Sequence, residues 1–186
     1  GIGSVPVMNA TGNISELLKN NTNGNLAVIY EFTLSANGCT NQYNVPVVVH
    51  PTPKMSSSLL DSACSGAPFT YEPTTDLTVP VRYAWSRAAV GNITPTVGND
   101  TGSVHETLVN STAATINVAY VYTITVGASC SKSQTVTVKV RPSAEAPVIT
   151  TKPGSSLCNG AMYQNFGASI PAPTGVTYSW SATNAE

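Results

Sequence analysis

Two histidines, four cysteines and nine carboxylate side chains are the reactive inventory of these 186 residues. A hydrolytic or metal centre needs such groups to converge, as in an HExxH pair, a nucleophile beside a base, or a cluster of ligands. His50 stands before Pro51 and His105 between Val104 and Glu106, in none of these contexts, so both read as solvated surface residues. Glu72, Asp76, Asp100 and Glu106 are dispersed. Asn99, Asp100 and Glu106 could lend oxygens to a calcium ion, but that ion takes about six to eight, and the plainer reading makes them turn and strand-start residues. No catalytic residue, metal or cofactor is expected. Cys39, Cys64, Cys130 and Cys158 have no CxxC spacing and no histidine partner. Cysteines of that kind suggest disulfides in an oxidising, extracytoplasmic setting, and four of them allow three full pairings.

The elements that must position these residues are strands. From Thr115 to Val126 the chain reads TINVAYVYTITV, with Ile116, Val118, Tyr120, Tyr122, Ile124 and Val126 on every second position. Gly127 to Ser133 turns through Cys130, and Gln134 to Pro142 returns with Val136, Val138 and Val140 in the same phase. A period of two marks a strand with one buried face. The same hairpin occurs earlier, with Leu26, Val28, Tyr30, Phe32 and Leu34 on one limb and Val45, Val47 and Val49 on the other. An isolated hairpin is marginally stable at best, so each must dock on further strands.

Composition excludes several roles. Only 9% of residues are charged and the net charge is −1, whereas nucleic-acid binding needs clustered Lys and Arg. No apolar run approaches the roughly 20 residues of a membrane span. Gly1 does not open a signal peptide, so any export signal is expected outside these residues.

Internal similarity organises the chain. Thr11-Gly12-Asn13-Ile14-Ser15-Glu16 recurs ninety positions later as Thr101-Gly102-Ser103-Val104-His105-Glu106. Asn20 matches Asn110, Thr22 matches Thr112, and Tyr30 and Phe32 match Tyr120 and Tyr122. Further on, Ala63-Cys64-Ser65-Gly66-Ala67 matches Leu157-Cys158-Asn159-Gly160-Ala161, and Tyr83-Ala84-Trp85-Ser86 matches Tyr178-Ser179-Trp180-Ser181. The division that follows is a C-terminal half-unit over 1–52, a complete unit over 53–143 and an N-terminal half-unit over 144–186, a window cut from a longer array. Within the complete unit, strands are predicted over Met55 to Leu60, Phe69 to Glu72, Val81 to Arg87, near Ile93, and over Glu106 to Val109, Thr115 to Val126 and Gln134 to Arg141. Turn signals such as Pro73-Thr74-Thr75-Asp76 and Gly98-Asn99-Asp100 separate them. The pattern is all-β, a tandem of Ig-like β-sandwich modules of about 90 residues. Tyr83, Trp85, Tyr120, Tyr122 and Trp180 are its expected core aromatics. The joints Pro51-Thr52-Pro53 and Pro142-Ser143-Ala144 should be semi-rigid.

Cys64 to Tyr71 (CSGAPFTY), Tyr83 to Val90 (YAWSRAAV), Glu106 to Thr112 (ETLVNST) and Tyr120 to Ile124 (YVYTI) together resemble the PKD-like repeats of Bacteroidota surface proteins. These include the gliding-motility adhesins exported by type IX secretion. The resemblance implies an Ig-like sandwich, tandem repetition, location outside the cell on the bacterial surface with outer-membrane association, and a non-enzymatic adhesive or spacer role. Its implied partners are neighbouring repeats, surface glycans or other envelope proteins. Ser86-Arg87-Ala88-Ala89 stands where the ordinary PKD domain carries an Asp-Gly turn.

The repeat frame puts one cysteine before the second strand and one in the final hairpin turn of each unit. It therefore predicts a Cys64–Cys130 disulfide, with Cys39 and Cys158 paired outside the chain; the rival is Cys39 with Cys64 across the joint. Such a loop would contribute about 4 kcal/mol in the chain-entropy model. Asp61-Ser62-Ala63 looks like the Bacteroidota O-glycosylation signal, which makes Ser62 a candidate. Asn-x-Ser/Thr sequons at Asn9, Asn13, Asn20, Asn92, Asn99 and Asn110 read as coincidence in so Asn- and Thr-rich a chain. The functional alternative to a surface repeat is a carbohydrate-binding accessory module of a secreted enzyme, which would need a platform of exposed aromatics.

Overall fold

The computed structural model describes residues 11–143, 148–151, 156, 158–160, 167–169 and 181, and among them there is no helix. Strands β1 (Leu26–Ala36) and β2 (Cys39–Val49) form an antiparallel hairpin, joined by Asn37 and Gly38 with φ of 50° and 83°. Both φ values are positive, as a two-residue hairpin loop requires, and Asn-Gly is the pair that meets this demand at least cost. Its apolar residues stay accessible, Leu34 at 68% and Tyr43 at 69%.

The next stretch holds β3 (Leu60–Cys64), β4 (Pro68–Tyr71), β5 (Val81–Arg87), β6 (Ile93–Thr94), β7 (Gly98–Thr101), β8 (Val104–Thr107), β9 (Val109–Asn110), β10 (Ile116–Val126) and β11 (Cys130–Arg141). One layer is a five-stranded sheet in the order β3-β11-β10-β5-β7; β4 pairs β8 and β6 pairs β9 opposite it. This is an Ig-like β-sandwich whose sheets do not close. Two further strands, β12 (Val148–Thr151) and β13 (Gly167–Ser169), pair antiparallel.

The hairpin β10–β11 carries the core. Val118, Tyr120, Tyr122, Ile124, Val136, Val138 and Val140 are all buried, and Phe69, Tyr71, Ile93, Val104 and Leu108 meet them from the opposite layer. Each such aliphatic side chain contributes roughly 1.5–3 kcal/mol by leaving water. Trp85 stands edge-on to Tyr120 with ring centroids 5.4 Å apart, Tyr83 edge-on to Tyr122 at 6.5 Å. Trp180 lies outside the described residues.

Three strand assignments change. The strand expected over Met55 to Leu60 lies instead at Leu60–Cys64. The serines before it are tied by side-chain bonds instead of a ladder: Ser57 Oγ pairs with Tyr71 Oη of β4, and Ser58 Oγ donates locally to Leu60 O. Gly98–Thr101 is a strand, not a turn, because it finds the open edge of β5, Asp100 opposite Trp85. Glu106 to Val109 splits into β8 and β9 at the fully buried Leu108, where the chain leaves β4 for β6.

Candidate functional site

Three arrangements stand out, and the first is a buried clamp between the layers. Arg87 closes β5, its side chain fully enclosed, and its guanidinium forks onto Glu106 of β8: Nη2 donates to Oε1 at 2.8 Å and Nε to Oε2 at 2.9 Å. Tyr120 Oη of β10 donates to the same Oε2 at 2.6 Å, and the Arg87 Cζ lies 5.9 Å from the Tyr120 ring centroid. Arg87 Nη1 reaches Thr96 O at 3.3 Å. Burial pushes Glu106 up, but the hydrogen bonds from Arg87 and Tyr120 and the Arg87 charge outweigh it and hold the carboxyl below its ordinary value. Both partners are raised: Arg87 first by its hydrogen bond to Glu106, which outweighs the lowering effect of burial, and Tyr120 first by desolvation and then by its bond to Glu106. The clamp is therefore charged on both sides at neutral pH, with the phenol always a donor. Gly98 makes room for it: a Cβ there would collide with the Glu106 carboxylate and lie 3.2 Å from Trp85 Cζ3.

The second arrangement is the pairing of the first strand of the sandwich with the last. β3 runs parallel to β11 from Leu60 opposite Thr137 to Cys64 opposite Arg141. Backbone bonds from Thr137 N to Leu59 O (2.8 Å) and Ser65 N to Arg141 O (2.9 Å) extend it at both ends. The chain enters through β3 and leaves through β11, so tension along the chain slides these strands past one another. Parallel strands pulled from opposite ends load their hydrogen bonds together instead of one at a time.

The third is a joint between the first hairpin and the sandwich. Thr78 N donates to Asn23 O at 2.8 Å, and Thr78 Oγ1 reaches the same oxygen at 3.2 Å. His50 Nδ1 lies 2.8 Å from Asn25 Oδ1. Its ring sits against the β10–β11 turn so closely that a Cβ on Gly127 would come within 2.6 Å of Nε2. Pro51, Pro53 and Met55 are buried where the chain passes between, and Gln134 Oε1 accepts from Met55 N at 2.7 Å. His50 is thus half-buried at a contact and not a solvated residue, whereas His105 is exposed on β8.

The same local device recurs on both sides of that joint. Asn20 Nδ2 donates to Gly24 O (2.7 Å) and Val49 O (2.8 Å), and Asn20 Oδ1 accepts from Thr22 N and Oγ1. Asn110 Nδ2 donates to Ala114 O (2.7 Å) and Val140 O (3.0 Å), and its Oδ1 accepts from Thr112 N and Oγ1. Each asparagine closes its loop onto the last strand of a hairpin. Both side-chain amides are spent on carbonyls inside the fold, which withdraws these two sequons from modification.

The Cys64–Cys130 pairing expected within the chain is corrected by the strand register. Among the described residues no disulfide joins Cys39, Cys64, Cys130 or Cys158. Cys64 stands opposite Arg141, at the end of β11, and Cys130 opens that strand opposite Val126. The eleven residue steps from Cys130 to Arg141 span about 36 Å at about 3.3 Å per residue, whereas a disulfide tolerates a Cα separation of about 7 Å. Cys130 does not lie in the hairpin turn where it was expected, because the turn is Gly127 to Ser129 and the returning ladder starts at Cys130. The rival partner Cys39 sits opposite Ala36 at the hairpin end remote from Val49 and the joint.

Ser62 is exposed on β3, with Asp61 Oδ1 accepting from its own amide at 2.7 Å. The calcium candidates do not converge: Glu106 is committed to Arg87 and Tyr120, and Asp100 Oδ1 accepts from Thr101 N. Among the described residues no three His, Cys, Asp or Glu side chains group to hold a metal, and no helix is long and apolar enough to cross a membrane. Sequence reasoning missed Arg87 as a functional residue. The available signal was an arginine at the apolar phase of a strand, two positions beyond Trp85. No curated protein matches the chain. The segment that contains the clamp and the sheared strand pair, residues 61–144, matches the family of the PKD-like domain.

Proposed function

We infer that the chain is a non-enzymatic structural stretch of an extracellular surface protein, built of tandem PKD-like units and bearing tension along its length. The division is the one read from the repeats: a half-unit over 1–52, a complete unit over 53–143 and a further half-unit over 144–186. The parallel pairing of β3 with β11 carries this reading, because it places the strongest geometry for resisting a pull between the chain's entry and exit. The buried Arg87–Glu106 pair supports it by tying the opposite layer to β5. The matched family, the low charge and the exposed Ser62 agree with a place outside the cell. Within that reading the parent is a gliding-motility or surface adhesin of the Bacteroidota type, exported by type IX secretion to the outer-membrane surface. Its partners are neighbouring repeats and glycans or proteins of the envelope.

A carbohydrate-binding platform draws no support from the sandwich. Phe69, Tyr71, Trp85, Tyr120 and Tyr122 are buried, and Tyr83 packs against the same core. Single-molecule pulling of the full chain by its ends tests the proposal. One cooperative rupture, weakened by Ser65→Pro, which removes the amide that donates to Arg141 O at the end of the β3–β11 pairing, is the expected outcome. Unfolding at low force with no effect of Ser65→Pro refutes it. Immunolabelling of intact cells tests the location, and mass mapping of the native Ser62 peptide tests its glycosylation.

A further inference from the structure

By the sequence repeat the four cysteines fall into two kinds of position, and the joint relates them. Cys64 lies beside Arg141 on the outer edge of β11. Asn20 bonds Val49 O as Asn110 bonds Val140 O, so His50, one residue on, is the counterpart of Arg141. The turn of the following hairpin seats on His50 at Gly127, and Cys130 follows that turn opposite Val126. Hence the strand that β3 provides beside β11 would, beside β2, set its cysteine next to His50, where the Gly127 turn and Cys130 arrive. Among the described residues the outer edge of β2 pairs with no strand, since β1 and β2 form a sheet of their own.

We propose that consecutive units are joined by a disulfide between the second-strand cysteine of one unit and the hairpin cysteine of the next. Cys64 bonds forward to the hairpin of a following unit. Cys130 bonds back to a preceding strand of the Leu60–Cys64 kind, seated on the outer edge of β2. Cys158 and Cys39 take the forward and backward roles in their own units. No two of the four cysteines of this chain are partners under this scheme. Each bond forms when two thiols lose two protons and two electrons to a disulfide-bearing oxidant, itself reduced to two thiols. The crosslink would lock the joint at its edge, so that tension passes between units through covalent bonds as well as through the Thr78–Asn23 and His50–Gly127 contacts. The inference rests on the tandem reading.

The test prefixes the chain with its own missing half: residues 53–100 placed directly before Thr11, the counterpart of Thr101, with Thr11 to Glu186 unchanged. Both units then carry both cysteines. The added copy carries Asp76→Glu, at an exposed position, so that its Cys64 peptide differs in mass from the native one. After equilibration in a reduced and oxidised glutathione couple, peptide mapping should find the added Cys64 joined to Cys130 and the chain two hydrogens lighter. A bond from the added Cys64 to Cys39, or free thiols in a chain whose added half has folded, overturns the inference and leaves the tandem reading standing. Failure of the added half to fold, read from amide protection of β1 and β2, overturns both. A second measurement uses the unextended chain, in which Asn23→Cys with Thr78→Cys should crosslink across the joint; absence of that bond removes the geometry on which the inference stands.

Discussion

Replacing Glu106 by glutamine keeps the shape of the clamp and removes its negative charge. The Arg87 side chain has no exposure to water, and the acceptors left to it would be the single amide oxygen of the glutamine and Thr96 O at 3.3 Å, neither of them charged. Removing one partner of a buried ion pair costs about 3–5 kcal/mol, because the other charge is left uncompensated. That is a large part of the roughly 5–15 kcal/mol that holds a domain together. For a sandwich of this size it corresponds to a fall in Tm of roughly 12 °C or more. Urea and thermal unfolding followed by Trp85 fluorescence measure it. The triple variant Arg87→Met, Glu106→Leu, Tyr120→Phe removes both charges and the dependent hydroxyl together. It should lie within about 1 kcal/mol of the parent or above it, since apolar replacements of whole buried pairs are neutral or stabilising. An E106Q protein within about 1 kcal/mol of the parent, or a triple variant as unstable as E106Q, refutes the account of the clamp. The pH dependence has a definite sign. The folded carboxyl lies below its ordinary value of 4.5, so its contribution is complete above that value and is lost as the pH falls through the folded one. The parent should therefore lose stability on acidification in that window, and E106Q should lose less.

Gly98→Ala sets a Cβ against the Glu106 carboxylate and Trp85; overpacking of this kind should cost about 1–3 kcal/mol in urea unfolding. Asn110→Ala leaves the buried Val140 carbonyl without its side-chain donor and should destabilise the sandwich by about 1–3 kcal/mol, while Asn20→Ala, on the first hairpin, should leave sandwich unfolding unmoved. Gly127→Ala presses on the His50 ring at a backbone φ of +63°. The amide of Thr78, which bonds across the joint, should then exchange hydrogen faster in NMR while the amides of β10 and β11 do not; an unchanged Thr78 rate would show that the joint is not held there.

Much of the sandwich is legible from period-two burial. Val81–Arg87 and the hairpin β10–β11 follow from alternation, because a strand with one buried face writes its exposure pattern into the chain. The recurrence of Asn20 and Thr22 as Asn110 and Thr112 was legible as a repeat, and the structure gives both pairs the same loop-closing bonds. β7 was illegible because Gly98, Asn99, Asp100 and Thr101 carry turn residues, and only the free edge of β5 makes them a strand. The position of β3 was lost for a similar reason: its partner β11 lies seventy residues and more away, and side-chain type does not say which edge a strand will find.

By itself the sequence determined the fold class, the period-two core and the equivalence of its two hairpins, since these depend on apolar residues counted along one chain. Tertiary structure decided which residues work together. It drew Arg87, Glu106 and Tyr120 from three strands into one buried clamp and put His50 on Gly127. It also parted Cys64 from Cys130, because whether two positions touch is set by strand order and direction, which have no local signature in the residues themselves.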